Sequence, residues 1–186
     1  MKIVGIDLAL RNSACVSLDE NNRFLDCIVL TSTADQYDAE NLLVYNYNTI
    51  FNFINDNESV VMIEGLAFNS TSLAKDIIAG NFWNIRLGLC KEDIEYHIVA
   101  PASWRAKVFP PEVKERLKTD RKAAKTAGIT GSKLIKEAAL SLVPDNIKKE
   151  FKKYLTDNKL NAKFMYDLAD AYCIAKYGVI LYNESR

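Results

Sequence analysis

The spacing of hydrophobic positions changes twice along the chain, and each change predicts a different kind of element. Through residue 32, apolar side chains come in short runs or alternate with polar ones, at Lys2 to Asp7, Ser13 to Leu18 and Phe24 to Ser32. Between them lie the polar turns Leu10-Arg-Asn12 and Asp19-Glu-Asn-Asn22. Runs of this length bounded by turn residues predict a three-stranded antiparallel meander. From about Asp35 to Asn55 the spacing becomes helical, with Leu42, Leu43, Tyr47, Ile50, Phe51 and Ile54 in register and Asp35 or a neighbour as cap. A buried strand, Val60 to Glu64, follows. Ile78, Phe82, Ile85 and Leu89 then mark a second helix within Thr71 to Lys91, and Glu95 to Ala100, ended by Pro101, reads as a fifth strand. Helices separating these later strands predict parallel crossovers appended to the meander.

Beyond Pro101 the strand signals stop. The pattern predicts a short helix over Ser103 to Phe109, a break at Pro110-Pro111, and a charged, weakly amphipathic helix from Glu112 to Ala127. After a turn at Gly128 to Gly131, Ser132 is expected to cap a helix running to Leu142, and Asp145 another running through Leu155. The last helix is expected from Asn161 or Ala162 to Tyr177, stopped by Gly178. With no repeat, low-complexity segment or linker, residues 1–186 read as one domain.

Four acids sit where this pattern delivers them to a common point. Asp7 ends the apolar run Lys2-Ile-Val-Gly-Ile-Asp7, and Glu64 ends Val60-Val-Met-Ile-Glu64. Asp167 and Asp170 lie three apart in the alanine-rich stretch Tyr166 to Ala175, so a helix puts both on one face. An acid at a buried strand end is costly unless it is paired or metal-bound. Four oxygen donors with no histidine or cysteine among them suit Mg2+, with Mn2+ able to substitute, rather than zinc. Asp7, on a rigid central strand, is the expected bridging ligand. Mutual repulsion in the metal-free site is expected to raise the pKa values of the acids.

Composition narrows the setting. A hydrophobic fraction of 49% and a charged fraction of 26% are ordinary for a globular protein. No stretch approaches the roughly 18 uninterrupted apolar residues of a membrane helix, and the first apolar run is interrupted by Asp7, so the expectation is a cytoplasmic protein with no membrane partner. Cys15, Cys27, Cys90 and Cys173 form no Cys-x-x-Cys pair and are expected to be reduced core thiols. The net charge of zero conceals an asymmetry: residues 1–100 hold 6 basic and 14 acidic side chains, whereas residues 101–160 hold 15 basic and 7 acidic, a surplus of eight. A basic segment laid beside an acidic site suits an enzyme that holds a polyanion while metals act on it. Arg105, Arg121, Lys122, Lys125 and Lys136 are among the residues expected to track phosphates. His97, in mid-strand, is expected to be structural, and Trp83 and Trp104 to be core or dimer contacts.

The order of three antiparallel strands, helix, strand, helix, strand and then helices is that of the ribonuclease H fold, a mixed five-stranded α/β sheet flanked by helices. Here the residues resemble the RuvC-like Holliday junction resolvases. Gly5-Ile-Asp7 resembles the family's first acidic motif, Ile63-Glu64-Gly65 its second, and Asp167-x-x-Asp170 followed by Ala171 its closing pair. Tyr96-His-Ile-Val-Ala-Pro-Ala-Ser-Trp104 resembles its fifth strand and the segment after it.

The resemblance implies a homodimer that binds branched DNA, especially four-way junctions, and cuts two strands symmetrically, with two divalent ions per site held by Asp7, Glu64, Asp167 and Asp170. It further implies basic residues near the scissile phosphate, for which Lys107 and Lys133 match best and Lys136 is a substitute for Lys133. It also implies an aromatic wedge after the glutamate, for which Phe68 stands nearest. The helix around Ile78, Phe82 and Ile85 is the expected dimer interface. Two features depart from the family: Leu8-Ala9 stands where Pro-Gly usually follows the first aspartate, and a basic helical insertion lies around residues 110–127. Three other readings stay open: a sugar-kinase or actin-like ATPase, which the absence of clustered glycines disfavours; a noncatalytic junction-binding protein; and a nuclease of the same fold acting on flaps, forks or structured RNA.

Overall fold

A computed structural model describes the whole chain except residues 10–11, 32–38, 56–57, 67–74 and 128–129, together with the side chains of residues 39, 75 and 121–127. Five strands, β1 (Lys2–Asp7), β2 (Asn12–Asp19), β3 (Phe24–Thr31), β4 (Ser59–Glu64) and β5 (Tyr96–Val99), form one sheet in the order β3-β2-β1-β4-β5. β1 pairs antiparallel with β2 and parallel with β4, and β5 adds parallel to β4, as the meander and crossovers predicted. The helices are α1 (Ala39–Ile54), α2 (Lys75–Lys91), α3 (Pro101–Val108), α4 (Pro111–Ala127), α5 (Gly131–Leu142), α6 (Asp145–Asp157) and α7 (Met165–Glu184), the last preceded by a 3-10 turn at Ala162–Phe164. None of the described helices is long and apolar enough to cross a membrane.

Strand alternation sorts the core into two layers. Val4, Ile6, Val61 and Ile63 pack with Phe82, Ile85 and Leu89 of α2 and with Ile50 and Ile54 of α1. Ile3 and Met62 pack on the opposite face with Leu168, Ala171, Tyr172, Ala175 and Val179 of α7. By the same alternation, the strand-ending Asp7 and Glu64 belong to the α7 face. Ile6 pairs with Ile63 in the parallel ladder, so the two acids are the next residues on neighbouring strands. Lys2 ties this sheet to α1: its Nζ donates to the carbonyls of Phe53 and Ile54 at 2.7 and 2.9 Å, satisfying acceptors that a helix C-terminus leaves open.

Three predicted features turned out differently. α7 does not stop at Gly178 but runs on to Glu184, because Gly178 serves close packing rather than termination. A Cβ there would come within 2.6 Å of Met62 Cγ and 2.8 Å of Ile3 Cγ2, so the helix keeps its glycine to lie flat on β1 and β4. Thr130, not Ser132, occupies the cap position of α5. Pro144 is the cap residue of α6, with Asp145 in its first turn, where a negative charge suits the helix dipole.

Candidate active site

Asp7 is positioned from three sides. β2 and β4 flank its strand, and α7 crosses beneath Gly5. The chain leaves β1 through Leu8 and Ala9, and that turn is held by Ser13, whose Oγ donates to the Ala9 carbonyl at 2.7 Å and accepts from the Ala9 amide at 3.0 Å. Asn81 Nδ2 of α2 also donates to the Ala9 carbonyl, at 3.1 Å. These side-chain bonds fix a turn that lacks the family's Pro-Gly and leave the strand pairing of Asp7 intact, as expected.

α7 brings the other pair. Asp167, Ala171 and Ala175 follow one another at four-residue intervals on the face against β1, so the small residues that admit close approach also point Asp167 toward the strand ends. Asp170, one turn on from Asp167, is buried. α5 packs along α7 through Ala138 and Ala139, and Lys136, three residues before Ala139, reaches across to Asp167, with Nζ 2.6 Å from Oδ1. Glu64 is held from α3: the Trp104 indole donates to its Oε1 at 3.2 Å, and the Arg105 guanidinium lies 3.6 Å from the same oxygen.

The electrostatics are those of a crowded anionic site. Burial, reinforced by the charges of Asp170, Glu64 and Asp167, holds the Asp7 carboxyl well above the usual range, with Lys136 opposing. Burial likewise pushes Asp170 up to about 7, against the pull of Lys136 and Arg105. The direction is the one anticipated, but desolvation leads and mutual repulsion adds to it. Burial draws the Lys136 ammonium down, yet its bond to Asp167 and the charges of Asp167, Asp170 and Asp7 leave it above its ordinary value.

As placed, no three acidic, histidine or cysteine side chains among the described residues converge on one point tightly enough to form a ready cation cage. Lys136 pairs with Asp167 and Arg105 lies beside Glu64, so two of the four acids have a cationic neighbour. The donor set nevertheless fits a hard divalent cation. All four acids offer oxygen, two of them hold protons more tightly than free carboxylates, and Asp170 Oδ1 is buried with no hydrogen-bond partner.

No family model matches the chain, and no curated protein matches it. Solved structures do. RuvC of Thermus thermophilus, in complex with Holliday junction substrate, aligns at TM-score 0.62 and 12% identity, covering 99% of this chain and 96% of its own. The yeast mitochondrial Holliday junction resolvase aligns at TM-score 0.52 and 15% identity over 95% of this chain and 77% of its own. The fowlpox virus Holliday junction resolvase aligns at TM-score 0.50 and 13% identity over the full length of both chains. The fold is that of the RuvC-like resolvases. It is the ribonuclease H-like sheet that the strand order predicted.

On this resolvase fold the predicted basic residues separate. Lys136 and Arg105 stand at the acids. Lys133, one turn before Lys136 on α5, is exposed. Lys107, expected beside the scissile phosphate, instead pairs with Glu184 at 2.6 Å. Glu184 ends α7, fourteen residues past Asp170, which at 1.5 Å per residue is about 21 Å along the helix axis. Lys107 is thus paired at the end of α7 remote from Asp167 and Asp170. Phe68 lies outside the described residues; Arg121, Lys122 and Lys125 fall within α4, but their side chains lie outside the description. Phe82 and Ile85, the expected dimer contacts, are buried in the α2 side of the core. His97 is exposed beside Glu95, at 3.0 Å. Sequence reasoning missed the Trp104 and Arg105 contacts with Glu64. A polar-tipped aromatic followed by arginine, directly after the strand neighbouring Glu64, was the available signal.

Proposed function

We propose that the protein is a divalent-metal-dependent endodeoxyribonuclease that resolves four-way DNA junctions by paired phosphodiester hydrolysis. The observation that carries this reading is that Asp7 and Glu64 end adjacent strands on the sheet face covered by α7, the helix of Asp167 and Asp170, with the buried Asp170 Oδ1 unpartnered, in a fold shared with resolvases. Asp7, Glu64, Asp167 and Asp170 would hold two Mg2+ ions. Such a pair, when bound, supplies an activated water and stabilises the leaving oxygen of an in-line displacement. Asp7 gives the fixed point, since its strand has neighbours on both sides. Asp7 and Asp170 would take part as carboxylates, and Lys136 and Arg105 pair with the other two acids, Asp167 and Glu64. Lys136 and Arg105 are placed where positive charge would counter the charge that develops on a phosphate bound at the acids.

Cleavage of a panel of substrates tests this directly: four-way junction, flap, fork, linear duplex and structured RNA, each with Mg2+ and with chelator. Paired cuts in the junction, lost with chelator and in Asp7→Asn, are expected. Asp7→Asn should still bind junction DNA. A mutant that cuts at the wild-type rate would remove the acids from the reaction, and preference for flaps or RNA would keep the nuclease but change its substrate.

The lysines give a sharper comparison. In single turnovers at saturating protein, Lys136→Ala should lose about 100-fold or more in rate, the scale seen when one preorganised electrostatic contact is removed. Lys107→Ala, which breaks a half-exposed surface pair of small energetic value, should cut normally. Equal rates for the two variants would show that the Lys136 contact has no part in the chemistry.

Symmetric cutting calls for two active sites related by a two-fold axis, and we place the dimer interface on the outer face of the α1–α2 pair. Val44 and Leu87, 55% and 58% exposed, line a cleft there with Tyr47, Asn84 and Lys91, and Trp83, one turn before Leu87 on α2, is 53% exposed. Large exposed apolar side chains grouped on one helix pair are what an interface leaves on an isolated subunit. Sedimentation of the wild type should show a dimer that Leu87→Asp converts to monomer without loss of helical signal. A wild type that is monomeric with and without junction DNA would refute the placement.

A further inference from the structure

We infer that Trp104 is a positioning residue that presents Glu64 to a divalent cation; this rests on the reading of the acid cluster given above. Trp104 is completely buried, enclosed on the α7 side of the core with Val108 and Phe109. Its ring meets Phe109 edge to face at 5.5 Å, which restricts the rotation of the indole. A tryptophan N–H is a donor only, and a buried donor requires a partner. Packing alone would be served as well by phenylalanine or leucine, with no donor to satisfy. Here the N–H emerges from the core at one place, and the atom it meets is Glu64 Oε1, 3.2 Å away.

The geometry around that oxygen is asymmetric. Arg105 approaches the same Oε1, at 3.6 Å, while its guanidinium carbon lies 4.9 Å from the Trp104 ring centroid. The indole N–H thus donates to Oε1, and the guanidinium faces that same oxygen at ion-pair distance. A carboxylate at the end of a strand can rotate, and tethering one oxygen to a rigid indole fixes where the other points. Oε2 is left to turn toward the acids of β1 and α7. This is how outer partners of a metal site orient a ligand, and removing them commonly weakens metal binding by about 10- to 100-fold.

The test uses Mn2+ as the probe, titrated calorimetrically into the full-length protein, alongside the metal dependence of junction cleavage. Trp104→Phe is expected to weaken Mn2+ binding about tenfold and to raise the half-saturating metal concentration for cleavage in parallel, with a much smaller change in rate at saturating metal. In a Glu64→Gln background, Trp104→Phe should weaken binding no further. Phe151→Leu, which loosens the same core beside Phe24 without touching Trp104 or Glu64, should leave Mn2+ binding unchanged. Should Trp104→Phe fail to fold, replacement of Trp104 by β-(3-benzothienyl)alanine keeps the shape, removes only the N–H donor and is judged by the same criterion. Unchanged Mn2+ binding in the donor-less variant, or an equal shift in Phe151→Leu, overturns the inference. A wild-type protein that takes up no Mn2+ overturns the acid-cluster reading, and this inference with it.

Discussion

Asp170→Asn is expected to be inactive and, without metal, more stable than the wild type at pH 8. The reason lies in the cost of a buried carboxylate. Burial raises Asp170 from an ordinary 3.8 to about 7, so the folded protein binds this proton more tightly than the unfolded chain does. The stability associated with that proton is fully present below about pH 4, declines as the pH rises, and is gone above about pH 7. A displacement of about three units amounts to roughly 4 kcal/mol. Asparagine does not titrate and avoids that loss, but its amide needs partners in a pocket where Asp170 Oδ1 has none, which costs about 1–3 kcal/mol. The net gain at pH 8 is therefore about 1–3 kcal/mol, or roughly 2–12 °C in Tm for a domain of this size. At pH 4 the gain should vanish or reverse. Mg2+ should then separate the proteins in the other direction, since a ligand that binds only the native state stabilises it by about 2.7 kcal/mol at a hundred times its Kd. Thermal melts of both proteins at pH 4 and pH 8, with and without Mg2+, check each sign. A variant less stable than wild type at pH 8 in chelator would show that the carboxylate is satisfied in the metal-free fold.

Much of this site was legible before any coordinates. β1 was legible at both ends, and Glu64 as the last residue of β4, because a carboxylate closing an apolar run is a local signal that needs no tertiary knowledge. The three-residue interval of Asp167 and Asp170 is equally local. What could not be read depends on how elements meet. Lys133, Lys136 and Lys107 are indistinguishable as isolated lysines; only the packing of α5 along α7 decides that Lys136 faces Asp167, and only the lie of α3 sends Lys107 to Glu184. Phe82 and Ile85 were recognisable as apolar, but the same helical spacing serves a core and an interface alike. Gly178 reads locally as a helix stop, whereas its neighbours Ile3 and Met62 lie more than a hundred residues earlier in the chain.

Gly5→Ala should have the largest structural effect of an alanine placed at any described glycine. A Cβ on Gly5 would land on the Ala171 carbonyl oxygen and the Ala175 amide nitrogen, and within 2.9 Å of Ala175 Cα. These are backbone atoms in the middle of α7, so no rotamer change relieves the clash and the helix itself must move away from β1. Overpacking of this kind costs about 1–3 kcal/mol and more where backbone has to shift, so we expect a loss of at least about 3 kcal/mol. That corresponds to a fall in Tm of roughly 6–12 °C. Activity should suffer beyond stability, because α7 carries Asp167 and Asp170 toward Asp7, only two residues from the new methyl. A displacement of about 1 Å in a reacting geometry can cost about 100-fold in rate. Gly131→Ala is the matched control. A Cβ there meets nothing within 4 Å, and the position lies in the first turn of α5, where alanine is at least as favourable as glycine. Melting temperatures and single-turnover rates for the two variants, measured below the melting point of the weaker, separate folding from alignment. If Gly5→Ala matches Gly131→Ala on both, α7 is not held against β1 by that contact, and the acids are brought together by some other constraint.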